Sequence, residues 1–335
     1  MTKSLVLAIE TSCDETAVAV IKNETEVLSN VLYSQIKEHQ KFGGVLPEVA
    51  SRIHVEKITY ILKQAIAEAN IKPEDLTAIG VTYGPGLIGS LHVGLQAAKT
   101  LAWLYNKPLI GVHHIMGHIY ANRLVDEIQY PALALVVSGG HSELVWLSKE
   151  HDLEIIAQTA DDAVGEAYDK VARVLGIGYP GGPIIDKLAK SGKKNYQLSK
   201  IKPANDDEFS FSGIKSSIIQ LVEREEKAGR DIIVEDVAYA FQERALEQLI
   251  DKTEEVIKQR QPKHVLLAGG VAANTRLREL IKELVDKFPD IKLTIPPMWC
   301  CTDNAAMIGV AAAMNERYGR ISTLELGAKS TSEFK

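Results

Sequence analysis

Two histidines four residues apart, His114 and His118 in Val112-His113-His114-Ile115-Met116-Gly117-His118, share one face of any helix that carries them, and imidazoles so placed can grip one metal ion. The same spacing suits two ordinary helix histidines, one at the surface and one packed, and the pair alone leaves both readings open. Asp303, in Cys301-Thr302-Asp303-Asn304 just ahead of a run of small residues, is a plausible third ligand. Two histidines and a carboxylate leave coordination positions open for a substrate oxygen, as a catalytic metal requires. Asp303 also reads as the N-cap of the helix that follows, and both roles can hold together.

A second set of residues suits a nucleotide. Ser138-Gly139-Gly140-His141 puts small residues at a tight hairpin, where backbone amides can surround an anionic oxygen with no Cβ in the way. In Tyr179-Pro180-Gly181-Gly182-Pro183-Ile184-Ile185-Asp186 a glycine turn precedes a carboxylate that could meet a ribose hydroxyl, and Asp169 is a further carboxylate nearby in chain order. Asn274, closing Leu267-Ala268-Gly269-Gly270-Val271-Ala272-Ala273-Asn274, could touch an adenine or ribose edge. Taken singly, each of these also fits a purely structural role.

The elements that must carry these residues follow one plan used twice. Leu5 to Ile9 is apolar, Glu10 to Glu15 is a polar turn, and Thr16 to Ile21 is apolar again, which reads as a hairpin. Shifted by 128 residues, Leu133 to Val137 runs into Ser138-Gly139-Gly140-His141-Ser142-Glu143 and then Leu144 to Leu147. A later strand in each half ends in glycines and opens a helix: Ala78 to Thr82 before Gly84-Pro85-Gly86, and His264 to Ala268 before Gly269-Gly270. The expected fold is therefore α/β, a duplicated actin-like ATPase (ASKHA) superfold of two lobes with a central ligand cleft. Residues 1–130 form the lobe with the histidines and 131–325 the lobe with the nucleotide loops, the last helix being free to pack back on the first lobe. By chain order Asp303 falls in the second lobe. Val234 to Lys258 has helical apolar spacing at Val237, Phe241, Ala245, Leu246 and Leu249, which reads as packing.

Composition bounds the rest. With 335 residues, 46% hydrophobic and 24% charged, the chain can bury two ordinary cores. No stretch approaches a membrane span, and the N-terminus enters a strand pattern too early for a signal peptide, so the expectation is a cytoplasmic protein with no membrane contact. Cys13, Cys300 and Cys301 give neither metal-clamp spacing nor a disulfide framework. A net charge of −6 excludes wrapping nucleic acid by bulk electrostatics, although the Lys187 to Lys202 stretch, with Lys187, Lys190, Lys193, Lys194, Lys200 and Lys202, could meet a phosphate backbone or be a solvated loop.

Nine segments in order carry a resemblance: Ala8 to Thr16, Gly84 to Ser90, His113 to His118, Val137 to His141, Gly165 to Lys170, Tyr179 to Pro183, Phe211 to Lys215, Leu267 to Asn274 and Cys301 to Asn304. Together they resemble the TsaD family, formerly called Gcp, from about residue 5 to about residue 320. The resemblance implies a tRNA N6-adenosine threonylcarbamoyltransferase, which moves threonylcarbamoyl from threonylcarbamoyl-AMP to N6 of adenosine 37 in tRNAs that read ANN codons and releases AMP. It implies one metal ion, usually iron and sometimes zinc, on His114, His118 and Asp303. It also implies a nucleotide site from Val137, Ser138, Gly139, Gly140, His141, Asp169, Gly182, Asp186 and Asn274. Archaeal and eukaryotic members carry a tyrosine before the Ser-Gly-Gly turn and an asparagine after it; Val136-Val137 and His141 here resemble the bacterial branch. That branch implies a TsaB-like paralogue, a TsaE-like ATPase and an upstream TsaC-type adenylate synthase. No general base is identified, Asp14 and Glu15 being the candidates.

Two rival readings are weighed on residues. A phosphotransferase or ATPase of the same superfold generally has Asp-Gly in the first hairpin, where this chain has Glu10-Thr11. A metallopeptidase of the His-Glu-x-x-His type needs Glu directly after the first histidine, and Ile115 stands there.

Overall fold

A computed structural model describes residues 4–200 and 203–331, so Lys202 of the basic stretch lies outside the described residues. The chain forms two compact units, one of residues up to Glu127 together with those from Thr302 onward, the other of Ile128–Cys301. Each is built on its own sheet.

In the first unit β1 (Leu5–Glu10), β2 (Glu15–Lys22) and β3 (Glu26–Ser34) form an antiparallel meander, followed by α1 (Ile36–His39), α2 (Pro47–Ala69), β4 (Ala78–Gly84), α3 (Ile88–Leu104), β5 (Leu109–His113) and α4 (His114–Tyr120). The strand order is β3-β2-β1-β4-β5, with β4 parallel to both β1 and β5. β1 is buried at every position, which is why it reads as a continuous apolar run rather than an alternating one. Its side chains still divide by face. Leu5, Leu7 and Ile9 enter a core with Ile58 and Ile61 of α2 and Leu95 of α3.

The second unit repeats the plan with β6 (Ala132–Val137), β7 (Ser142–Lys149), β8 (Asp152–Thr159), β9 (Glu208–Phe209), β10 (His264–Ala268) and β11 (Lys292–Thr294), in the order β11-β10-β6-β7-β8-β9. As in the first sheet, the leading strand opens a three-stranded antiparallel meander on one side and has two parallel strands on the other; here β9 adds a further edge strand parallel to β8. Its helices are α5 (Val164–Val174), α6 (Gly181–Ala189), α7 (Ser212–Lys227), α8 (Val234–Arg260), α9 (Thr275–Val285) and α10 (Met298–Cys301). Leu133, Leu135, Val137 and Leu144 of the sheet pack in one core with Val164 and Tyr168 of α5, Phe241 and Leu246 of α8 and Leu277 of α9.

The chain then returns to the first unit. α11 (Ala305–Arg317) is buried from Ala305 to Asn315, all the way round, as expected for a helix apolar on every face. Its small residues allow that fit: Gly309 lies against Ile21 and Ala8, and Gly80 of β4 faces the Ala312 methyl. Ala17, Ala19 and Ile21 of β2 complete the contact with Ala305 and Ala306. Residues 302 onward, and with them Asp303, thus share a unit with the two histidines, where chain order had counted them with the second. No helix among the described residues is long and apolar enough to cross a membrane.

Candidate functional site

The two histidines stand on α4, a short helix with all seven residues buried. Their rings meet edge to face at 4.7 Å between centroids and 88°. Asp303 Oδ1 lies 3.1 Å from His118 Nε2 and 3.5 Å from His114 Nε2. One ligand atom from each of the three residues falls within 4.8 Å of the other two, a cluster that could hold a metal ion. The donor set fits such an ion: two imidazole nitrogens and one carboxylate oxygen converge, and the second nitrogen of His114 is tied to a carboxylate, the arrangement that orients metal-bound histidines.

The capping reading of Asp303 is resolved by its neighbour. Asn304 is the N-cap of α11, its side-chain oxygen accepting from the Met307 N–H at 3.1 Å. The Asp303 carboxylate is left to face the histidines. Ile115, where a peptidase would need a glutamate, is 1% exposed and belongs to the core.

From sequence Glu10 reads only as part of the polar turn of the first hairpin and not as a site residue; in the structure it is the last residue of β1. This carboxylate is fully buried at the end of β1, where the two-residue period puts it on the Ala8 side of the sheet, the side that α11 covers. It accepts from the Ser12 N–H at 2.5 Å and the Thr82 hydroxyl at 2.6 Å, and its Oε2 lies 3.1 Å from His114 Nδ1. Ser12 Oγ is 3.2 Å from the same nitrogen. A lone acid closing a wholly apolar strand was the local signal, since a fully buried carboxylate needs partners.

Charges in the cluster are mutually supporting. Burial alone would hold His114 neutral, but the carboxylates of Asp303 and Glu10 push it well above its ordinary value. Burial likewise works against ionisation of Asp303 and Glu10, but His114 and His118 hold Asp303, and His114 with Ser12 holds Glu10, below the usual carboxylate range. Glu15 behaves oppositely. Burial first, then the charges of Asp14 and Asp303, push it well up, and it shares a hydrogen bond with Asp14 while accepting from Ser34 Oγ at 3.1 Å. Asp14 is buried in the same turn. The Cys13 thiol is also pushed well up, by burial and then by Asp14, which makes it a poor nucleophile.

The second unit gathers the nucleotide candidates at three helix starts. Ser138 Oγ accepts from the Gly140 and His141 N–H groups at 3.3 and 3.0 Å, so those amides of the turn are already engaged. The Ser138 carbonyl accepts from Gly165 N at 3.2 Å, which docks the start of α5 on the hairpin. Asp169 of α5 accepts from Gly181 N at 2.7 Å and caps α6. Asp186 of α6 accepts from Thr275 N and Oγ1 at the start of α9, at 3.2 and 2.9 Å. Asn274 is the N-cap of α9, accepting from Leu277 N at 2.9 Å, and its amide donates to Gln242 Oε1 at 2.8 Å. Both carboxylates and the asparagine therefore hold loops.

The glycines divide into two kinds. A Cβ at Gly165 would meet the Ser138 carbonyl, and one at Gly269, at φ +89, would meet that of Val137, so packing demands both. At Gly139, Gly140, Gly182 and Gly270 a Cβ would meet no protein atom within 4 Å. Of the basic stretch, Lys187, Lys193 and Lys194 are exposed, whereas Lys200 pairs with Glu247 and Asp251 and Lys190 reaches Asp186 at 4.0 Å.

Comparison with known proteins extends this geometry. The family described as "TsaD: tRNA N6-adenosine threonylcarbamoyltransferase" matches residues 26–310. A Bacillus cereus protein named tRNA N6-adenosine threonylcarbamoyltransferase is 52% identical over 327 residues, covering 97% of this chain and 95% of its own. A Halalkalibacterium halodurans protein of the same name is 50% identical over 335 residues, covering 99% and 97%. Among solved structures, HypF of T. kodakarensis aligns with 94% of this chain and 48% of its own at a TM-score of 0.62 and 16% identity. Component A of the Acidaminococcus fermentans (R)-2-hydroxyglutaryl-CoA dehydratase aligns with 94% and 99% at 0.53 and 10%. At such identities these likenesses show the fold alone, an actin-like ATPase type with two sheets.

Proposed function

The chain belongs to the TsaD family of tRNA N6-adenosine threonylcarbamoyltransferases and is a transferase, and on that premise we propose that it moves threonylcarbamoyl from threonylcarbamoyl-AMP to N6 of adenosine 37 in tRNAs reading ANN codons, releasing AMP. The observation that carries this reading is the convergence of His114, His118 and Asp303, joined in one unit by the return of α11. The exocyclic amine of adenine is a weak nucleophile, because its lone pair is delocalised into the ring. The carbamoyl carbon must therefore be made more electrophilic and the departing phosphate stabilised. A metal ion on His114, His118 and Asp303, iron by family resemblance with zinc as the alternative, would supply Lewis acidity toward carbonyl or phosphate oxygen.

The chain's own residues divide the remaining work. Asp14 and Glu15 are the two candidates for accepting the proton of the attacking amine, and burial with the charges of Asp14 and Asp303 raises the Glu15 carboxyl well above its ordinary value, which makes its carboxylate the stronger base. The starts of α5, α6 and α9 are linked through Ser138, Asp169 and Asp186, which hold in place the loops assigned to the nucleotide. Gly139 and Gly182 leave its close approach unobstructed. The exposed Lys187, Lys193 and Lys194 contribute part of the tRNA surface. We place the reaction in the cytoplasm, with a TsaB-like paralogue and a TsaE-like ATPase as partners and a TsaC-type enzyme supplying the adenylate. The test is transfer from synthetic threonylcarbamoyl-AMP to an ANN-reading tRNA by the protein with those partners. Modified adenosine should form with wild type and fail to form with His118→Ala; equal product from both contradicts the reading.

A further inference from the structure

We infer that Glu10 is a positioning residue for the metal centre: it fixes the ring of His114 with Nδ1 protonated, so that Nε2 keeps its lone pair for the ion. This rests on the reading that His114, His118 and Asp303 hold a metal.

The inference comes from counting donors around one carboxylate. Glu10 Oε1 takes the Ser12 backbone N–H, which can only donate. Oε2 takes the Thr82 hydroxyl and faces His114 Nδ1. A carboxylate has two oxygens that only accept, so as a carboxylate Glu10 accepts from all three, and His114 Nδ1 then carries a hydrogen. Ser12 Oγ lies beside the same nitrogen and can share that hydrogen, but a hydroxyl serves either direction and does not choose a tautomer. The carboxylate does choose. His114 Nε2, on the far side of the ring, is the nitrogen turned toward Asp303 Oδ1, the atom that His118 Nε2 also meets.

Glutamine at position 10 separates this role from mere packing. It keeps the shape of the side chain but has a single acceptor, which the Ser12 N–H would claim. The amide NH2 would then face Thr82 and His114. The threonine hydroxyl can rotate to accept, whereas His114 can accept only as the other tautomer, with hydrogen on Nε2 and no lone pair for a metal. Thr82→Val removes a donor to the same oxygen and leaves the carboxylate in place.

The experiment is zinc binding by the purified full chain, measured by competition with a chromophoric chelator, together with long-range 1H–15N spectra of the histidine-labelled, zinc-loaded protein. Outer partners of metal-bound histidines are worth about 10–100-fold in metal affinity, so Glu10→Gln should weaken zinc binding by roughly that factor, while Thr82→Val should stay within about threefold. The wild-type spectrum should show His114 protonated at Nδ1 and bound through Nε2, an outcome that needs no variant to fold. Equal zinc affinity in wild type and Glu10→Gln, or a wild-type His114 bound through Nδ1, overturns the inference alone. Failure of the wild-type chain to take up zinc or iron overturns the metal reading and this inference with it.

Discussion

The leading hairpins of the two units follow one strand plan and carry different chemistry. In the first unit β1 and β2 close at the Glu10–Ala17 pair, and the connection between them supplies Ser12, Asp14 and Glu15, all with side chains that can accept or deliver protons. In the second, β6 and β7 close at Val137–Ser142 around Ser138, two glycines and His141, and what that turn offers is open space beside Gly139 and Gly140. The same contrast runs through the rest of each unit. His114, His118 and Asp303 point donor atoms at one another, whereas Asp169, Asp186 and Asn274 are engaged in capping helices. On the proposed function, the duplicated scaffold separates side-chain chemistry from ligand shape, and perturbing each half should produce a different failure.

The largest effect belongs to the first unit. His118→Ala or Asp303→Asn should lower single-turnover transfer by at least about a hundredfold and abolish metal retention, since each alters one of the three proposed ligands. A variant that loses its metal yet transfers at the wild-type rate would erase the distinction between the halves.

The second unit should fail by affinity. Gly182→Ala introduces a methyl that meets no protein atom, inside α6, so folded stability should hold or rise by up to about 1 kcal/mol. AMP binding, measured calorimetrically, should nevertheless weaken by about tenfold or more, corresponding to about 1.4 kcal/mol. Unchanged AMP affinity would remove Gly182 from the nucleotide site.

Two smaller effects concern pH. His114 is raised in the folded, metal-free chain, so its stabilising contribution is complete below its ordinary value of 6.5 and is lost as pH rises through the folded value. The apo protein should therefore lose thermal stability above neutral pH, and added zinc, which displaces that proton, should restore it. Melting curves in pH 6 to 9 buffers with and without zinc check this, and a His114→Gln chain should lack the slope. In the second unit Glu143 has a buried oxygen without a hydrogen-bond partner among the described residues, and burial pushes its carboxyl up to about 7. The neutral form is the one that folding favours, so its contribution is complete below 4.5 and is lost as pH rises from there through about 7. Glu143→Gln should flatten the fall in stability across that window in denaturant titrations.

Much of the scaffold was legible because buried strands announce themselves. Leu5 to Ile9, Ala78 to Thr82, Leu133 to Val137 and His264 to Ala268 are apolar runs ended by polar or glycine turns, and each is a strand. β3 and β8 gave no such run, since partly exposed positions interrupt them, and β11 is too short to show a period. The histidine spacing was readable locally. What could not be read was the partner of each histidine. Asp303 joins His118 across 185 residues because α11 folds back on β1, β2 and β4, and its freedom to do so depends on Asn304 taking the cap. Glu10 meets His114 across 104 residues, a pairing that no local pattern encodes.

The most direct test of the central claim, that transfer depends on a metal held by His114, His118 and Asp303, is single-turnover transfer measured against metal content in one chelator-stripped and stepwise reloaded preparation. Threonylcarbamoyl transfer should rise in proportion to occupied sites and reach the untreated level at one ion per chain. A stripped protein, free of iron and zinc by elemental analysis, that transfers at the untreated rate would contradict it.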